Sequence, residues 1–389
     1  MHVKQRTVLI ALLAAVLAAL AVVHIWPVSQ HPVVWTPDSL YYEAKLLEIR
    51  GESHNAAMKR AFQGPLSASL RARDPQKTGN ARWVKYNEPF YDRRVAVPLA
   101  GAAIEPLAGN RSLLDLSIAG YVATILALFG LLLLRFRIAI ATAITAATVF
   151  LPPLLKHSSF PLTDSWGLAL ELTAFAAALL TLDRGRRWLP LWLASILLLS
   201  FTRDSTWIPV LAVGFVALRY RTRLPVTLFV TGVAAALPAL IAFKTPVRDL
   251  LALLVNNSQP PVHPTWSFIA SHYPRAVWEL VRANVGFLRR GEWYTAVYIV
   301  GGVVALLALV RRRRALGMTG TLMTAAAVLG VLYVLAAPVF SAFRLELVVV
   351  PVAAYGLALA TESFLARAAA RYEAVDRLWN RPARYSTQG

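Results

Sequence analysis

The chain has 389 residues, of which 57% are hydrophobic and 15% are charged, and its mean hydropathy is +0.54. This composition excludes a soluble globular protein of that length and indicates a polytopic membrane protein. The formal charge of +20 does not indicate a nucleic-acid partner, because the arginines stand between apolar runs and form no basic patch with interleaved aromatic residues. Since the chain has no cysteine, disulfides, a thiolate nucleophile and cysteine-ligated metals are excluded as well.

The first predicted element is an apolar run over residues 7–26, which follows a basic N-terminal segment. The run is long enough to span a membrane and ends at Trp26-Pro27-Val28 without a small-residue cleavage site, so we expect a retained first helix. Further apolar runs predict an all-α protein with about ten membrane spans. The predicted spans are 7–27, 112–134, 138–155, 164–182, 188–201, 205–219, 224–243, 293–310, 317–337 and 345–362.

The arginines between the spans predict the orientation of the chain. With the N-terminus in the cytoplasm, every arginine cluster falls on the cytoplasmic side, as the positive-inside rule requires. An error of one span would scatter the clusters over both sides, so the agreement supports the count. We therefore expect a protein of the cytoplasmic (inner) membrane with both termini in the cytoplasm. The clusters are Arg135/Arg137, Arg184/Arg186/Arg187, Arg219/Arg221/Arg223, Arg311 to Arg314, and an arginine-rich tail over residues 363–389.

Residues 1–362 then form one membrane domain with two large extracytoplasmic loops. The first loop, residues 28–111, contains Thr36 as a natural N-cap and Pro37 as a natural first helical residue, which predicts a short surface helix. Between residues 51 and 87 the composition is polar and rich in Gly and Pro, so we expect a loop with one helix at most. Loops this long are usually functional.

The second large loop, residues 244–292, is predicted to contain an amphipathic helix. Its apolar residues recur at helical spacing, while arginine and glutamate occupy other positions. This pattern is typical of a helix that lies in the plane of the membrane interface. The predicted apolar face consists of Val277, Leu280, Val281, Val285 and Leu288.

Ionisable residues stand at the extracytoplasmic ends of several predicted helices, where a charge is costly and usually faces a cavity or a partner. For any one acid, a capping role in the first turn and a role in a site are both open. Capping does not explain the arginines, because an arginine at a helix start opposes the dipole and needs an anionic partner. Arg93 and Arg94 form a further basic pair, for which interfacial snorkelling is the alternative. The positions are Asp38 with Glu43, Lys156 with His157 and Asp164, Arg203 with Asp204, and Arg344 with Glu346.

Familiar catalytic and metal-binding motifs are absent from the sequence. His157, His263 and His272 lack the spacing of metal ligands, so we expect no metal-binding residues. There is no Gly-rich phosphate loop, Ser/His/Asp arrangement or nucleophile elbow. We therefore do not expect chemistry on soluble nucleotides.

Four short motifs, in this order and on one face, resemble the membrane-embedded glycosyltransferases of the GT-C class. That class uses polyprenyl-phosphate sugars as donors and includes mannosyl-, arabinosyl- and aminoarabinosyl-transferases. The resemblance covers the architecture of most of the chain, from the first helix and its long outer loop to the last span. The motifs are Pro37-Asp38-Ser39-Leu40-Tyr41-Tyr42-Glu43, Pro161-Leu162-Thr163-Asp164-Ser165, Phe201-Thr202-Arg203-Asp204-Ser205 and Phe343-Arg344-Leu345-Glu346.

The resemblance implies that Asp38 is the catalytic base and that Asp164 is a second catalytic acid, which positions the acceptor or a basic residue. Glu43 lies five residues after Asp38 and points about 140° away from it on a helix, so the two form no tight acidic pair. The resemblance requires no cofactor and leaves room for a divalent cation. It implies a polyprenyl-phosphate-linked sugar donor, a glycan, lipid or protein acceptor, and the bilayer as partners. The expected substrate-binding residues are Arg203, Arg344, Arg93, Lys156, Tyr42, Glu43 and Asp204.

An inverting transfer needs one carboxylate to take a proton from the acceptor hydroxyl and positive charge to stabilise the departing lipid phosphate. A partly desolvated Asp38 suits the first role, and arginines suit the second. A retaining mechanism would need a second carboxylate close to the first, and the sequence offers no clear candidate. The alternative is a transporter or lipid flippase, whose polar site should lie near the bilayer midplane. Most predicted spans are apolar at their centres, and Glu171 is the main exception. A non-catalytic assembly subunit is a third hypothesis.

Overall fold

The structure is a computed structural model that describes residues 3–244, 246–289, 293–339, 341 and 343–379. Within these ranges every regular element is helical and no strand occurs, so the predicted all-α class is confirmed. The α-helices are α1 Val3–Gln30, α2 Pro37–Ile49, α3 His54–Gln63, α4 Ala68–Arg73, α5 Pro75–Thr78, α6 Ala81–Asn87, α7 Ala96–Ala108, α8 Ser112–Leu133, α9 Ile138–Val149, α10 Pro152–Ser158, α11 Asp164–Arg184, α12 Leu189–Ser200, α13 Trp207–Tyr220, α14 Arg223–Ala242, α15 Val247–Val255, α16 Trp266–Arg289, α17 Trp293–Arg312, α18 Gly317–Ala336 and α19 Val350–Trp379. Short 3-10 helices are Pro65–Ser67, Glu88–Phe90, Gly109–Arg111, Arg186–Trp188, Asp204–Thr206 and Leu345–Val349.

Several of these helices are long and apolar enough to cross a membrane. Among the described residues six segments meet that condition, or seven if the bent pair α9–α10 forms one span. The pair is bent by 59°, since Pro152 and Pro153 cannot donate to the hydrogen-bond ladder of α9 and instead begin α10. The prediction of one continuous helix over residues 138–155 is therefore wrong. The six segments are Lys4–Val28, Ala96–Leu133, Asp164–Arg184, Arg223–Ala242, Gly317–Ala336 and Leu345–Ala370.

The other predicted spans also fall on helices. Spans five and six correspond to α12 and α13, whose 12 and 14 residues are too short to meet the length condition. Span eight corresponds to α17, a helix of 20 residues. The last predicted span continues without a break into the predicted tail, because α19 ends only at Trp379; residues 380–389 of that tail lie outside the described residues.

The spans share one apolar core, in which α8 packs against α11, α13 against α18, and α17 against α19. Helices that are apolar on all sides are suited to an environment of other helices and lipid. Gly120 permits the close approach of α8 and α11, since a Cβ atom there would meet Ser165 and the Trp166 ring. The start of α11 is thereby fixed against α8 at the place where Asp164 stands.

The segment between α1 and α8 folds into helices α2 to α7 around an apolar cluster of its own. The cluster includes Leu40, Phe62 and Trp83, all buried. The prediction of one helix at most between residues 51 and 87 is wrong, because Pro65 and Pro75, which look like breakers, occupy first-turn positions of short helices. The predicted helix is confirmed as α2, with Thr36 and Ser39 in a capping box. It is not a surface helix, because eight of its 13 residues are buried.

Candidate functional site

The predicted outer-face residues come together in a cluster centred on the Arg344 guanidinium. Nε of Arg344 donates to both carboxylate oxygens of Asp164, at 2.9 and 3.0 Å, and Nη1 forms an ion pair with Asp38. Asp38 lies in the first turn of α2 and Asp164 is the first residue of α11, so one arginine connects the α2–α7 segment to the span bundle. A partly buried arginine with two carboxylates keeps its full charge, and the pKa of Arg344 is raised further because these acids outweigh burial.

Arg344 is presented by an unusual backbone turn. The preceding residue, Phe343, has a φ of 64°, a left-handed conformation that a bulky side chain adopts at a cost of about 1–2 kcal/mol. Its ring is buried. The surrounding packing therefore stabilises a turn that the residue would not choose alone, and that turn aims Arg344 at the two acids.

A second arginine also contacts Asp164. Arg203 is buried and forms an ion pair with Asp164. Its side chain crosses α11 above Gly167, where an added Cβ would overlap the arginine Cγ. Glu171, one further turn along the same helix face, is buried close to Arg203 and Ser205, and its Oε1 has no hydrogen-bond partner among the described residues. Glu171, the main ionisable residue inside the otherwise apolar predicted spans, thus belongs to this cluster.

We call Asp38, Asp164, Arg203 and Arg344 the Arg344 centre, and Arg93, Arg94, Asp204 and Tyr42 the Arg94 centre. In the latter, Arg94 Nη2 donates to Asp204 at 2.6 Å and Nη1 to the Tyr42 hydroxyl at 2.9 Å. Arg93 forms an ion pair with the other oxygen of Asp204. The Tyr42 hydroxyl also lies 3.3 Å from Oγ1 of Thr163, the neighbour of Asp164, so the two centres are in contact.

The two predicted catalytic acids differ in access. The side chain of Asp38 is 23% exposed, whereas that of Asp164 has no exposed surface. Asp164 is thus placed to hold Arg203 and Arg344, and of these two acids only Asp38 is accessible from outside the cluster.

Asp38 is held in its charged form by its neighbours. Burial alone would raise the pKa of this carboxyl, but Arg344, a hydrogen bond from Tyr91 and the charge of Arg94 together lower it below the ordinary value. The Tyr91 ring is stacked on Tyr41 with their centroids 4.4 Å apart, and Arg94 lies over it at 5.2 Å. The protein therefore has a weakly basic carboxylate at this position.

Two predicted substrate-binding residues lie elsewhere. Glu43 is buried on the opposite side of α2, where burial and the nearby Glu105 raise its pKa to about 7. Lys156 is exposed, while its neighbour His157 is buried and close enough to Asp164 to act on its charge. The helical spacing already pointed Glu43 away from Asp38, but nothing in the sequence ranked His157 above Lys156.

Sequence reasoning missed Tyr91, and it named Arg94 only as part of a basic pair with Arg93, not among the expected substrate-binding residues. Tyr91 and Arg94 come from the connection between α6 and α7, which contains the run Tyr91-Asp92-Arg93-Arg94. The backbone N–H of Ala96 donates to the carbonyl of Phe201 at 3.1 Å, which brings this run beside Arg203 and Asp204. The signal available was the adjacent arginine pair; which arginine would reach Tyr42 could not be read from it.

An apolar groove with a volume of about 170 Å³ opens beside the cluster between α7, α8, α11 and α12. One end is formed by residues next to the charged ones: Ala96 follows Arg94 by two positions and Thr202 precedes Arg203. The groove is suited to a hydrocarbon chain whose polar end reaches the arginines. Its lining residues are Ala96, Val97, Ala100, Leu116, Trp166, Leu170, Leu198 and Thr202.

Among the described residues, no group of three or more His, Asp or Glu side chains has a geometry that would hold a metal ion. Comparison of the chain with protein-family models and with curated protein sequences found no match. The argument for function therefore rests on the cluster, the groove and the membrane setting.

Proposed function

We propose that the protein is an integral-membrane glycosyltransferase with about ten spans, which moves a sugar from a polyprenyl-phosphate donor to an acceptor hydroxyl on the extracytoplasmic face of the inner membrane. The count takes α9–α10 as one span and adds α12, α13 and α17 to the six long segments. The proposal rests chiefly on one observation. Arg344 connects two acids yet keeps its buried Nη2 without a hydrogen-bond partner among the described residues.

That free nitrogen favours an anionic ligand. A buried guanidinium N–H group without a partner costs roughly 1–3 kcal/mol, which a phosphate oxygen would recover. Nε of Arg93 and of Arg94 are buried without partners as well, again within the described part of the chain. Three arginines thus have unused donors within one cluster, and the apolar groove supplies the adjoining site for a lipid tail.

In the proposed reaction the acceptor hydroxyl attacks the anomeric carbon, Asp38 takes its proton, and the bond from that carbon to the phosphate oxygen breaks. The leaving polyprenyl phosphate carries the electron pair, and Arg344 stabilises the added charge. Because Arg344 also lowers the pKa of Asp38, a phosphate that engages this arginine weakens its hold on the carboxylate. Donor binding would then make Asp38 a better base at the moment it is needed.

The cluster favours a transferase over the alternative, a transporter or flippase. A transporter is expected to hold its polar site near the bilayer midplane, often on broken helices. Here Glu171, the acid of α11 that lies deepest in the span, is buried beside Arg203, so it extends the outer cluster inward. The broken pair α9–α10 contributes His157 to the same region.

The test compares a deletion strain complemented with wild-type protein, Asp38→Asn or Asp115→Asn at matched membrane levels. Asp115 is the control, because it is an acid in the first turn of α8 that is 40% exposed and paired with Arg111. We expect a sugar linkage in the envelope to disappear on deletion, with its lipid-linked donor accumulating. Wild type and Asp115→Asn should restore the linkage, and Asp38→Asn should not. Full restoration by Asp38→Asn would show that Asp38 is not the catalytic base.

A further inference from the structure

Helix α16 presents two different faces, although its sequence predicts one apolar face. The side chains of Ile269, Ala276 and Leu280 are buried against neighbouring helices, while Val281 and Val285, predicted to lie with Leu280, are exposed. The predicted apolar residues thus divide between an edge packed on the bundle and an exposed side; the side chain of Leu288 lies outside the described residues. With about 100° per residue, Trp278 is directed about 200° away from both Ala276 and Leu280.

The exposed face combines aromatic, aliphatic and basic residues. Trp278 is 65% exposed, and Val281 and Val285 extend its surface along the helix. Arginines border this strip at positions 275, 282 and 289, a spacing of seven that keeps them on one side of it. The acid on this side, Glu279, is paired with Arg275 at 2.8 Å, so the strip carries excess positive charge.

A contact with the bundle fixes the level of the helix. The Tyr273 hydroxyl donates to the carbonyl of Leu335 at 2.9 Å, and Leu335 is the last residue but one of α18. Because α18 is a candidate span, α16 crosses the bundle where that span ends. Tryptophan is enriched at this level of membranes, and arginines near it are attracted to anionic headgroups.

We propose that the Trp278 face of α16, formed by Arg275, Trp278, Val281, Arg282, Val285 and Arg289, binds the headgroup layer of acidic phospholipids at the outer end of α18. The face opposite the buried line is too basic to lie in hydrocarbon and too apolar to lie fully in water. The inference is independent of the proposed transferase activity and holds for a transporter as well.

The absence of cysteine from the chain gives a direct test. Trp278→Cys is labelled with a fluorophore and the full-length protein is reconstituted in phosphatidylcholine vesicles with or without phosphatidylglycerol. Quenching is measured with each lipid brominated in turn near the headgroup. Gln76→Cys is the control, because Gln76 is exposed on α5 in the other outer segment. We expect quenching at position 278 and none at 76, with brominated phosphatidylglycerol several-fold more effective than brominated phosphatidylcholine at equal mole fraction.

A triple variant, Arg275→Gln, Arg282→Gln and Arg289→Gln, tests the charge. All three side chains are exposed, so the fold should persist, and the preference for phosphatidylglycerol should fall to near one. A label at 278 that no lipid quenches would overturn the proposal. Equal quenching by the two lipids in the unmodified background would also overturn it. So would quenching that occurs only when a second labelled protein molecule is present, because this face would then bind another protein molecule.

Discussion

The two arginine centres contain the same residue types but balance their charges differently. In the Arg344 centre two arginines face two carboxylates, whereas in the Arg94 centre two arginines share Asp204. The first is neutral in its ion pairs and includes the fully buried Asp164. The second has one positive charge in excess, and burial together with Arg94 lowers the pKa of Arg93 to about 10.

This difference in charge gives the two centres different roles. A neutral, buried network fixes side chains in place, while an excess positive charge beside an apolar groove attracts an anion. We therefore expect the Arg344 centre to dominate stability and geometry. The Arg94 centre should dominate the affinity for an anionic lipid.

The largest expected effect comes from Asp164→Asn. This change leaves Arg203 buried without its carboxylate and should lower the free energy of unfolding by roughly 3–5 kcal/mol. Asp204→Asn is the matched change in the other centre, and it should cost less because the Asp204 side chain is 23% exposed. Unfolding of the two variants in the same detergent measures the difference; equal losses would contradict the division between the centres.

The next prediction compares two acids on α2, of which, among the described residues, Asp38 forms an ion pair with an arginine and Glu43 does not. Glu43, on the far side of α2 from Asp38, has a pKa raised to about 7 from an ordinary 4.5. Folding therefore favours its protonated form, and the associated stability is present below about pH 4.5 and is lost as the pH rises through about 7. Glu43→Gln should remove a pH-dependent loss on the order of 1–3 kcal/mol.

Unfolding midpoints between pH 4 and pH 8 check the role of Glu43. Glu52→Gln is the control, since Glu52 is paired with Arg60 and lies in the same segment. The slope should persist in that variant. A slope that survives in Glu43→Gln would assign the titration to another group.

A smaller effect tests how Arg203 is placed. Gly167→Ala puts a methyl group against the Arg203 side chain and should cost roughly 1–2 kcal/mol of stability as well as activity. Gly130→Ala is the control, because no atom lies within 4 Å of the Cβ it would add in α8. Equal stability of the two variants would mean that Arg203 can move aside without loss.

The smallest effect concerns the charge state of Asp38. Tyr91→Phe removes a hydrogen bond to its carboxylate, so the pKa of Asp38 should rise and the acid limb of the pH–rate profile should shift to higher pH. The rate on that limb should fall by tenfold or less, as the loss of about 1 kcal/mol implies. Tyr41→Phe is the control, since its hydroxyl donates to the carbonyl of Val84 and to no acid. An unchanged pH–rate profile for Tyr91→Phe would contradict the role of Asp38 in proton transfer.

Much of the site could be predicted because helix starts are locally coded. Thr36-Pro37 and Thr163 mark the beginnings of α2 and α11, which placed Asp38 and Asp164 at helix ends before any contact was known. The contacts themselves could not be predicted, since Arg344 meets Asp38 across 306 positions of sequence. The outer helices were missed for a local reason: Pro65 and Pro75 begin helices there instead of interrupting them.

The turn at Phe343 has a consequence for comparing this chain with its relatives. Arg344 is aimed by a backbone conformation with a φ of 64°, so its identity alone does not guarantee its direction. A β-branched residue before it would disfavour that conformation strongly and could turn the guanidinium away with every charged residue still in place. A homologue could therefore carry the complete set of acids and arginines and still be inactive. The uncharged residue at the position of Phe343 would distinguish it.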